Sequence, residues 1–252
     1  MTKSELAVKV PAITAFFWII KILSTTVGET FADYLNDTLG FGLGNTALIM
    51  TGALVVILVI QFATKRYTPA VYWLSIVAIS TVGTLITDNL HDGLGVANWE
   101  SIIIFGVALI VTFVIWHQRE GSLEMKSINT RKREAFYWLA ILFTFALGTA
   151  AGDIFLDDLG IPLIYTLFGF AVALVLVWYA WKKRILSPVS SFWIAYVLTR
   201  PLGAATGDLL SQPTKDTGLG LGPTNTSIVF LVLIAALVTY LSISKKDRLD
   251  AK

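Results

Sequence analysis

Residues 16–40 read FFWIIKILSTTVGETFADYLNDTLG, and the spacing of three residues in this stretch recurs three more times along the chain. In each copy a tryptophan is followed by glycine ten residues later and by aspartate fifteen residues later, and another aromatic residue precedes the tryptophan. Identical spacing in four places indicates a fourfold internal repeat. The four sets are Trp18, Gly28 and Asp33; Trp73, Gly83 and Asp88; Trp138, Gly148 and Asp153; and Trp193, Gly203 and Asp208.

The composition of the chain is that of a membrane protein. Of its 252 residues, 56% are hydrophobic and only 14% are charged, and the mean hydropathy is +0.74. These values exclude an ordinary soluble domain. Four nearly uncharged runs each approach the roughly 20 residues that a helix needs to cross a bilayer. They lie at 47–63, 101–116, 163–181 and 227–243.

Each repeat also contains a more polar segment of spanning length, which begins near residue 11, 69, 134 or 188 and ends at a Leu-Gly pair. One polar and one apolar helix per repeat predict an all-α integral membrane protein with eight transmembrane helices. Because every repeat crosses twice, the four repeats share one orientation and the topology is parallel. The spacing of the tryptophans predicts two pseudo-symmetric halves of four helices, residues 1–120 and 121–252, within one membrane domain.

Positive charge alternates between the connections. Sixteen of the nineteen Lys and Arg residues lie at the termini or in alternate connections, whereas the opposite connections hold only Lys215. The positive-inside rule therefore predicts that both termini are cytoplasmic.

Lys21 and Glu29 lie within the first hydrophobic stretch, which belongs to the first repeat, so we expect no cleavable signal peptide. The absence of cysteine excludes disulfides and thiolate metal ligands.

Positions 3, 7, 11 and 15 after each tryptophan share one face of a helix, and many of them are polar. Lipid cannot satisfy such a stripe, so we expect the four polar helices to surround a central polar site, with the apolar helices outside them. The stripes are Lys21, Thr25, Glu29 and Asp33; Ile76, Ser80, Thr84 and Asp88; Ile141, Phe145, Thr149 and Asp153; and Tyr196, Arg200, Ala204 and Asp208.

The charges within the stripes do not balance. The stripes contain five acids and two cations. Inserting one ionised carboxylate at the centre of a membrane helix costs about 2.5–3.5 kcal/mol. Bound cations or protons must therefore neutralise the remaining acids. We predict ion and metal binding by Asp33, Asp88, Asp153, Asp208 and Glu29, helped by the hydroxyls of Thr25, Ser80, Thr84 and Thr149. Lys21 and Arg200 would balance charge, and Trp18, Trp73, Trp138 and Trp193 would line the cavity. An all-oxygen site suits hard ions such as Mn²⁺, Mg²⁺, Ca²⁺ or Na⁺.

Several of these features have a plainer interpretation. The aspartates lie toward the outer helix ends and could be interfacial and solvated, the tryptophans could form an aromatic belt, and Lys21 and Glu29 could be a structural pair. The repeat glycines favour close helix packing over a loosened helix. Pro201 predicts a kink in the seventh helix. The second acids, Asp37, Asp92 and Asp157, read as solvated loop residues.

The segments Phe17-Trp18…Gly28-Glu29-Thr30…Asp33 and Tyr137-Trp138…Gly148…Gly152-Asp153 resemble the four tandem two-helix repeats of a bacterial membrane-protein family of unknown function. The resemblance covers essentially the whole chain. It implies a bacterial or archaeal multi-pass protein with two crossings per repeat, which we place in the inner (plasma) membrane. It implies no activity.

The residues favour a transporter or exporter of a small cation, in which protonation of the same acids can supply a coupling ion. A carrier of a small organic substrate held by Lys21 or Arg200 is a second hypothesis, and a non-transporting membrane scaffold or sensor is a third. No nucleophile–base constellation or phosphate-binding loop stands out, so we expect neither an enzyme nor a cofactor. The expected partners are a small cation and membrane lipid but no nucleic acid, and the sequence predicts no oligomeric state.

Overall fold

The computed structural model describes residues 8–249, apart from the side chain of Asp216, and this part of the chain contains eight long helices and no strand. The prediction of an all-helical protein with one polar and one apolar helix per repeat is confirmed. The helices are α1 (Ala15–Asp33), α2 (Leu43–Ala63), α3 (Pro69–Asp88), α4 (Asn98–Glu120), α5 (Arg131–Asp153), α6 (Leu163–Lys182), α7 (Pro188–Ser211) and α8 (Gly222–Ser244).

Seven of the described helices are long and apolar enough to span a membrane. The exception is α7, which is long enough at 24 residues but carries Arg200, Pro201 and Asp208. These residues lower its hydropathy. Pro201 lies inside α7 without ending it.

The odd-numbered helices form a closed inner ring. Going round the ring in the order α1, α3, α5 and α7, each helix contacts the next, and α7 contacts α1. Each even-numbered helix packs on the odd helix of the following repeat: α2 on α3, α4 on α5, α6 on α7 and α8 on α1. Because each repeat supplies its apolar helix to the next one, no repeat is complete on its own.

The even helices lie outside the ring, as their composition predicts. Between 17% and 28% of the most apolar stretch of each even helix is buried, compared with 50–72% in α1, α3 and α5. Their long apolar faces include Val55, Val59 and Val107, which point away from the rest of the protein. The polar stripes of the odd helices consequently face the centre of the molecule.

The first and the last described residues meet at one end of the bundle, called here the terminal end. Residues 8–14 form an extended segment, the N-terminal strap, and α1 starts only at Ala15, where the side chain of Thr14 caps it. The Ala12 amide donates to the carbonyl of Asp247 at 2.8 Å. The repeat aspartates lie toward the opposite end.

At the opposite end, three inner helices change their winding directly after the repeat aspartate. The π-helical turns Tyr34–Thr38, Asn89–Gly93 and Ile154–Asp158 continue α1, α3 and α5. The glycine of each Leu-Gly pair then adopts a positive φ, for example 67° at Gly40 and 70° at Gly95, which a residue without a Cβ does most readily. The Leu-Gly pairs therefore mark turns, whereas α7 has no such π-turn and ends at Ser211.

Candidate functional site

The repeat glycines lie where neighbouring inner helices cross. A Cβ atom on any of them would collide with a side chain of the next repeat in the ring. In every case that side chain belongs to the residue seven positions after the tryptophan of its own repeat. The prediction that these glycines permit close helix packing is confirmed. The fourth repeat contacts the first in the same way as the first contacts the second, so the ring closes on itself. The pairs are Gly28 with Ser80, Gly83 with Phe145, Gly148 with Arg200, and Gly203 with Thr25.

A layer of eight aromatic rings fills the inner ring near the terminal end. In every repeat the residue before the tryptophan contacts the tryptophan of the next repeat, with ring centroids 5.6–6.2 Å apart. The hydroxyls of Tyr72 and Tyr137 are hydrogen-bonded to each other at 2.5 Å. This aromatic layer comprises Phe17, Trp18, Tyr72, Trp73, Tyr137, Trp138, Phe192 and Trp193.

The tryptophans occupy packed positions in this layer. Trp73, Trp138 and Trp193 are buried, and the Trp193 indole N–H donates to the carbonyl of Leu123 at 3.2 Å. Trp18 is partly exposed and borders a groove of about 610 Å³ between α1, α6 and α7, together with Trp178 and other apolar residues. Three of the four tryptophans thus help to fill the terminal end of the bundle.

Arg200 lies at the centre of the ring, and its side chain is fully buried. Its Nη2 atom forms an ion pair with Glu29 of α1 and donates to the hydroxyl of Thr84 in α3 at 2.5 Å. The close approach of Arg200 to Gly148 adds a contact with α5. One arginine from the fourth repeat therefore contacts the other three.

The four repeat aspartates gather around this ion pair. Each of them interacts electrostatically with both Glu29 and Arg200, although the four come from four different helices. Asp208 is 8% exposed, whereas Asp33, Asp88 and Asp153 are partly exposed toward the opposite end. The aspartates are thus neither splayed into solvent nor isolated from one another.

The predicted hydroxyl ligands are all buried but differ in their partners. Thr25 donates to the carbonyl of Ile22 and contacts that of Thr199, and Thr149 donates to the carbonyl of Phe145. Thr84 receives the hydrogen bond from Arg200. The Ser80 hydroxyl has no hydrogen-bond partner.

The described residues contain no group of three or more acid or histidine side chains placed to hold a metal ion. The carboxylate of Glu29 is engaged by Arg200. The acids predicted as metal ligands therefore lie around one centre without forming a closed coordination shell.

Lys21 does not join the acids. It is fully buried near the aromatic layer, with its Nζ atom 4.0 Å from the ring centroid of Phe145 and 4.2 Å from that of Tyr196. The sequence allowed a structural pair of Lys21 with Glu29, but Glu29 pairs with Arg200 instead. Glu29 lies eight residues further along α1, about 12 Å at 1.5 Å per residue, which is too far for direct contact.

The second acids of the first three repeats lie at the edge of the central cluster, where Asp37 acts electrostatically on Asp33, and Asp92 and Asp157 act on Asp153. Asp37, Asp92 and Asp157 are exposed within the three π-helical turns, in agreement with their interpretation as solvated residues. π-Helical turns often occur at functional sites because they displace side chains from the regular helical position. Here they immediately follow the aspartates of the central cluster.

A buried ion pair closes the terminal end, and the sequence did not point to it. Lys9 of the N-terminal strap lies 2.6 Å from Glu134 at the start of α5, and both side chains are only 1% exposed. Lys9 also donates to the carbonyl of Phe62 at 3.1 Å, and Gln61 donates to Glu134 at 3.0 Å. We call Lys9, Gln61 and Glu134 the terminal clamp.

Further contacts tie the strap to two of the connections at this end. The amide of Lys9 donates to the carbonyl of Ile128, and the amide of Tyr67 donates to that of Val8. The Tyr67 hydroxyl donates to Asp247 at 2.5 Å, and its burial beside that carboxylate raises the pKa of Tyr67, so it stays protonated. The linker between α4 and α5 is anchored by the buried side chain of Ile128.

The fourfold arrangement agrees with the comparison to known families. Four successive segments match the family described as Repeat of Unknown Function (DUF347), at residues 16–67, 71–122, 136–184 and 191–247. The chain belongs to this family. Each matched DUF347 segment contains one inner helix and the outer helix that follows it. No curated protein and no solved structure matches the chain.

Proposed function

We propose that this protein is a multi-pass membrane transporter or exporter of a small cation, such as Mn²⁺ or Mg²⁺, which binds among the repeat aspartates at the centre of the helix ring. One arrangement carries the proposal: the four inner helices close into a ring, and each brings one repeat aspartate to the same end, within electrostatic reach of the Glu29–Arg200 pair. Charged side chains inside membrane helices are costly and usually serve ion or substrate pathways.

The proposed topology has eight membrane crossings. The hydropathy of α7 alone is too low to identify it as a membrane-spanning helix. Its polar residues Arg200 and Asp208, however, are buried among the other inner helices rather than facing lipid. A polar helix in such a position can cross a bilayer. The distribution of Lys and Arg then assigns the terminal end to the cytoplasm and the aspartates to the outer half of a bacterial inner membrane.

Carboxylate chemistry supports a hard cation as the substrate. Carboxylate and hydroxyl oxygens are the ligands preferred by Mg²⁺, Mn²⁺ and Ca²⁺. An entering cation would draw the aspartates together and compete with Arg200 for Glu29, because the guanidinium already occupies that carboxylate. Arg200 then acts as a tethered cation that neutralises the site before the ion arrives, and protonation of the same acids can supply the coupling ion.

The accessibility of the site supports alternating access. The aspartates of the first three repeats are partly exposed toward the outer end, whereas the aromatic layer and the terminal clamp block the cytoplasmic end. This is the arrangement of a carrier that faces outward. Release to the cytoplasm requires the clamp and the aromatic layer to separate while the outer end closes, as in transporters built from repeats.

The decisive experiment is cation flux into vesicles reconstituted with single Asp→Asn variants. We expect Asp33→Asn, Asp88→Asn, Asp153→Asn and Asp208→Asn each to reduce flux roughly tenfold or more, because a charged ligand contributes about 1.5–3 kcal/mol. Glu124→Gln is the control, since this acid is exposed at the terminal end, away from the aspartates. Flux equal to wild type in all four cluster variants would refute the proposal. Lower thermal stability with unchanged flux would indicate a scaffold instead.

A further inference from the structure

Several buried hydrogen-bond donors between the aromatic layer and Glu29 lack an acceptor. In the described part of the chain these are Lys21 Nζ, Ser80 Oγ, the Tyr196 hydroxyl, and Nε and Nη1 of Arg200. Each of these side chains is at most 1% exposed. Buried polar groups almost always have a partner, so a group of unpartnered donors in one region points to a bound ligand.

Lys21 is the strongest case among them. The faces of Phe145 and Tyr196 attract its ammonium group, but aromatic faces leave most of its hydrogen-bonding capacity unused. No acid of the described chain pairs with it. An ammonium ion is among the most expensive groups to bury, so Lys21 must either bind a counter-ion or lose its proton.

A second cation nearby makes the burial of a charged Lys21 still more costly. Lys21 lies close enough to Arg200 for their charges to interact, and two positive charges repel strongly where water is excluded. Arg200 directs one nitrogen to Glu29 and Thr84, and this leaves its Nε and Nη1 atoms free. Lys and Arg can only donate hydrogen bonds, so the missing partner must be an acceptor, and an anion fits better than water.

We propose that a small monovalent inorganic anion, of the size of chloride, binds between Lys21 and Arg200. It would accept hydrogen bonds from Lys21 Nζ, the Tyr196 hydroxyl and the free guanidinium nitrogens. The bound anion neutralises the lysine and leaves the remaining face of Arg200 free to hold Glu29. This site shares Arg200 with the cation site proposed above but includes none of the aspartates.

Thermal unfolding of the purified full-length protein in sodium chloride, bromide or gluconate, at constant ionic strength and without divalent cations, tests the proposal. Chloride and bromide should raise Tm saturably by about 3 °C relative to gluconate, because ligand binding stabilises the folded state. Lys21→Met should abolish the halide effect, and Tyr196→Phe, which removes only the hydroxyl, should weaken it. Lys65→Met, at an exposed position, is the matched control and should keep the full effect.

Crystals grown in bromide should show anomalous density beside Lys21 Nζ. Equal Tm values in the three salts together with no bromide peak would overturn the proposal, and so would a halide effect that persists undiminished in Lys21→Met. If Lys21→Met does not fold, Tyr196→Phe and the anomalous map decide. Because no transported cation is varied, these outcomes do not depend on whether the aspartates carry cation flux.

Discussion

Among single residues, Arg200 is the one whose loss should affect the most contacts, because it is fully buried and touches all three other repeats. Arg200→Met should leave Glu29 without its partner and destabilise the protein by about 3–5 kcal/mol, as breaking a buried ion pair does. Glu29→Gln should also destabilise it, and the double variant should lose less than the sum of the two. The free energy of unfolding of all four proteins gives this coupling. Additive losses would show that the two side chains do not act as a pair.

Gly148 offers a second test at this scale. A Cβ there would lie 2.6 Å from the Cβ of Arg200 and 3.2 Å from the Cδ of Pro201, and neither atom is the end of a flexible side chain. Gly148→Ala should therefore destabilise the protein by about 1–3 kcal/mol through overpacking. Gly169→Ala, in α6 with open space around it, should be neutral or slightly stabilising. Equal stabilities of the two variants would contradict close packing at the crossing.

At the scale of structural elements, the N-terminal strap joins the connections at the terminal end, and Lys9 is its anchor. Lys9→Met should leave Glu134 buried without its counter-ion and loosen this end of the bundle. Hydrogen exchange should increase in residues 61–68 and 125–134 and stay unchanged around the repeat aspartates. Lys65→Met, in the exposed connection before α3, is the control. Unchanged exchange in the Lys9 variant would show that the strap does not hold the terminal end closed.

The strap also shows where sequence reasoning reaches its limit. Lys9 and Glu134 are 125 residues apart, and each alone reads as a charge at a membrane boundary. The π-helical turns were not predicted either, because a pair of aspartates four residues apart is equally compatible with a regular helix or a loop. The repeat glycines were predictable in both position and role, since small residues at fixed spacing favour helix crossings in membranes.

For the whole molecule, the sequence predicted the repeats, the helix pairs and which helices lie inside. The last prediction was possible because helices with polar stripes cannot face lipid and must lie within the protein. It did not predict that each outer helix packs on the next repeat. An apolar helix carries no pattern that selects one neighbour over another. The convergence of the acids could be expected from their shared helix face. The pairing of Glu29 with Arg200 could not, because it depends on how far α1 and α7 are shifted along each other.

The closed ring has a consequence for chain connectivity. The first and last described residues lie together at the terminal end, and the linker between α4 and α5 contacts them there. A circular permutant that joins residue 249 to residue 8 through a flexible linker and begins at Ser122 should insert and fold with a Tm close to that of wild type. A permutant opened at Gly106, inside α4, should not fold. Loss of folding in the first permutant would contradict a cyclic arrangement of equivalent repeats.

The thermal stability of the purified protein across Na⁺, Mg²⁺, Ca²⁺ and Mn²⁺, at constant ionic strength and with one anion throughout, tests the central claim most directly. We expect at least one of these ions to raise Tm saturably, because a cation bound by the clustered carboxylates stabilises the folded form. The effect should disappear in Asp153→Asn and persist in Glu124→Gln, at an exposed acid of the terminal end. No stabilisation by any of the four ions, or stabilisation that survives in Asp153→Asn, would contradict the claim that these aspartates handle a cation.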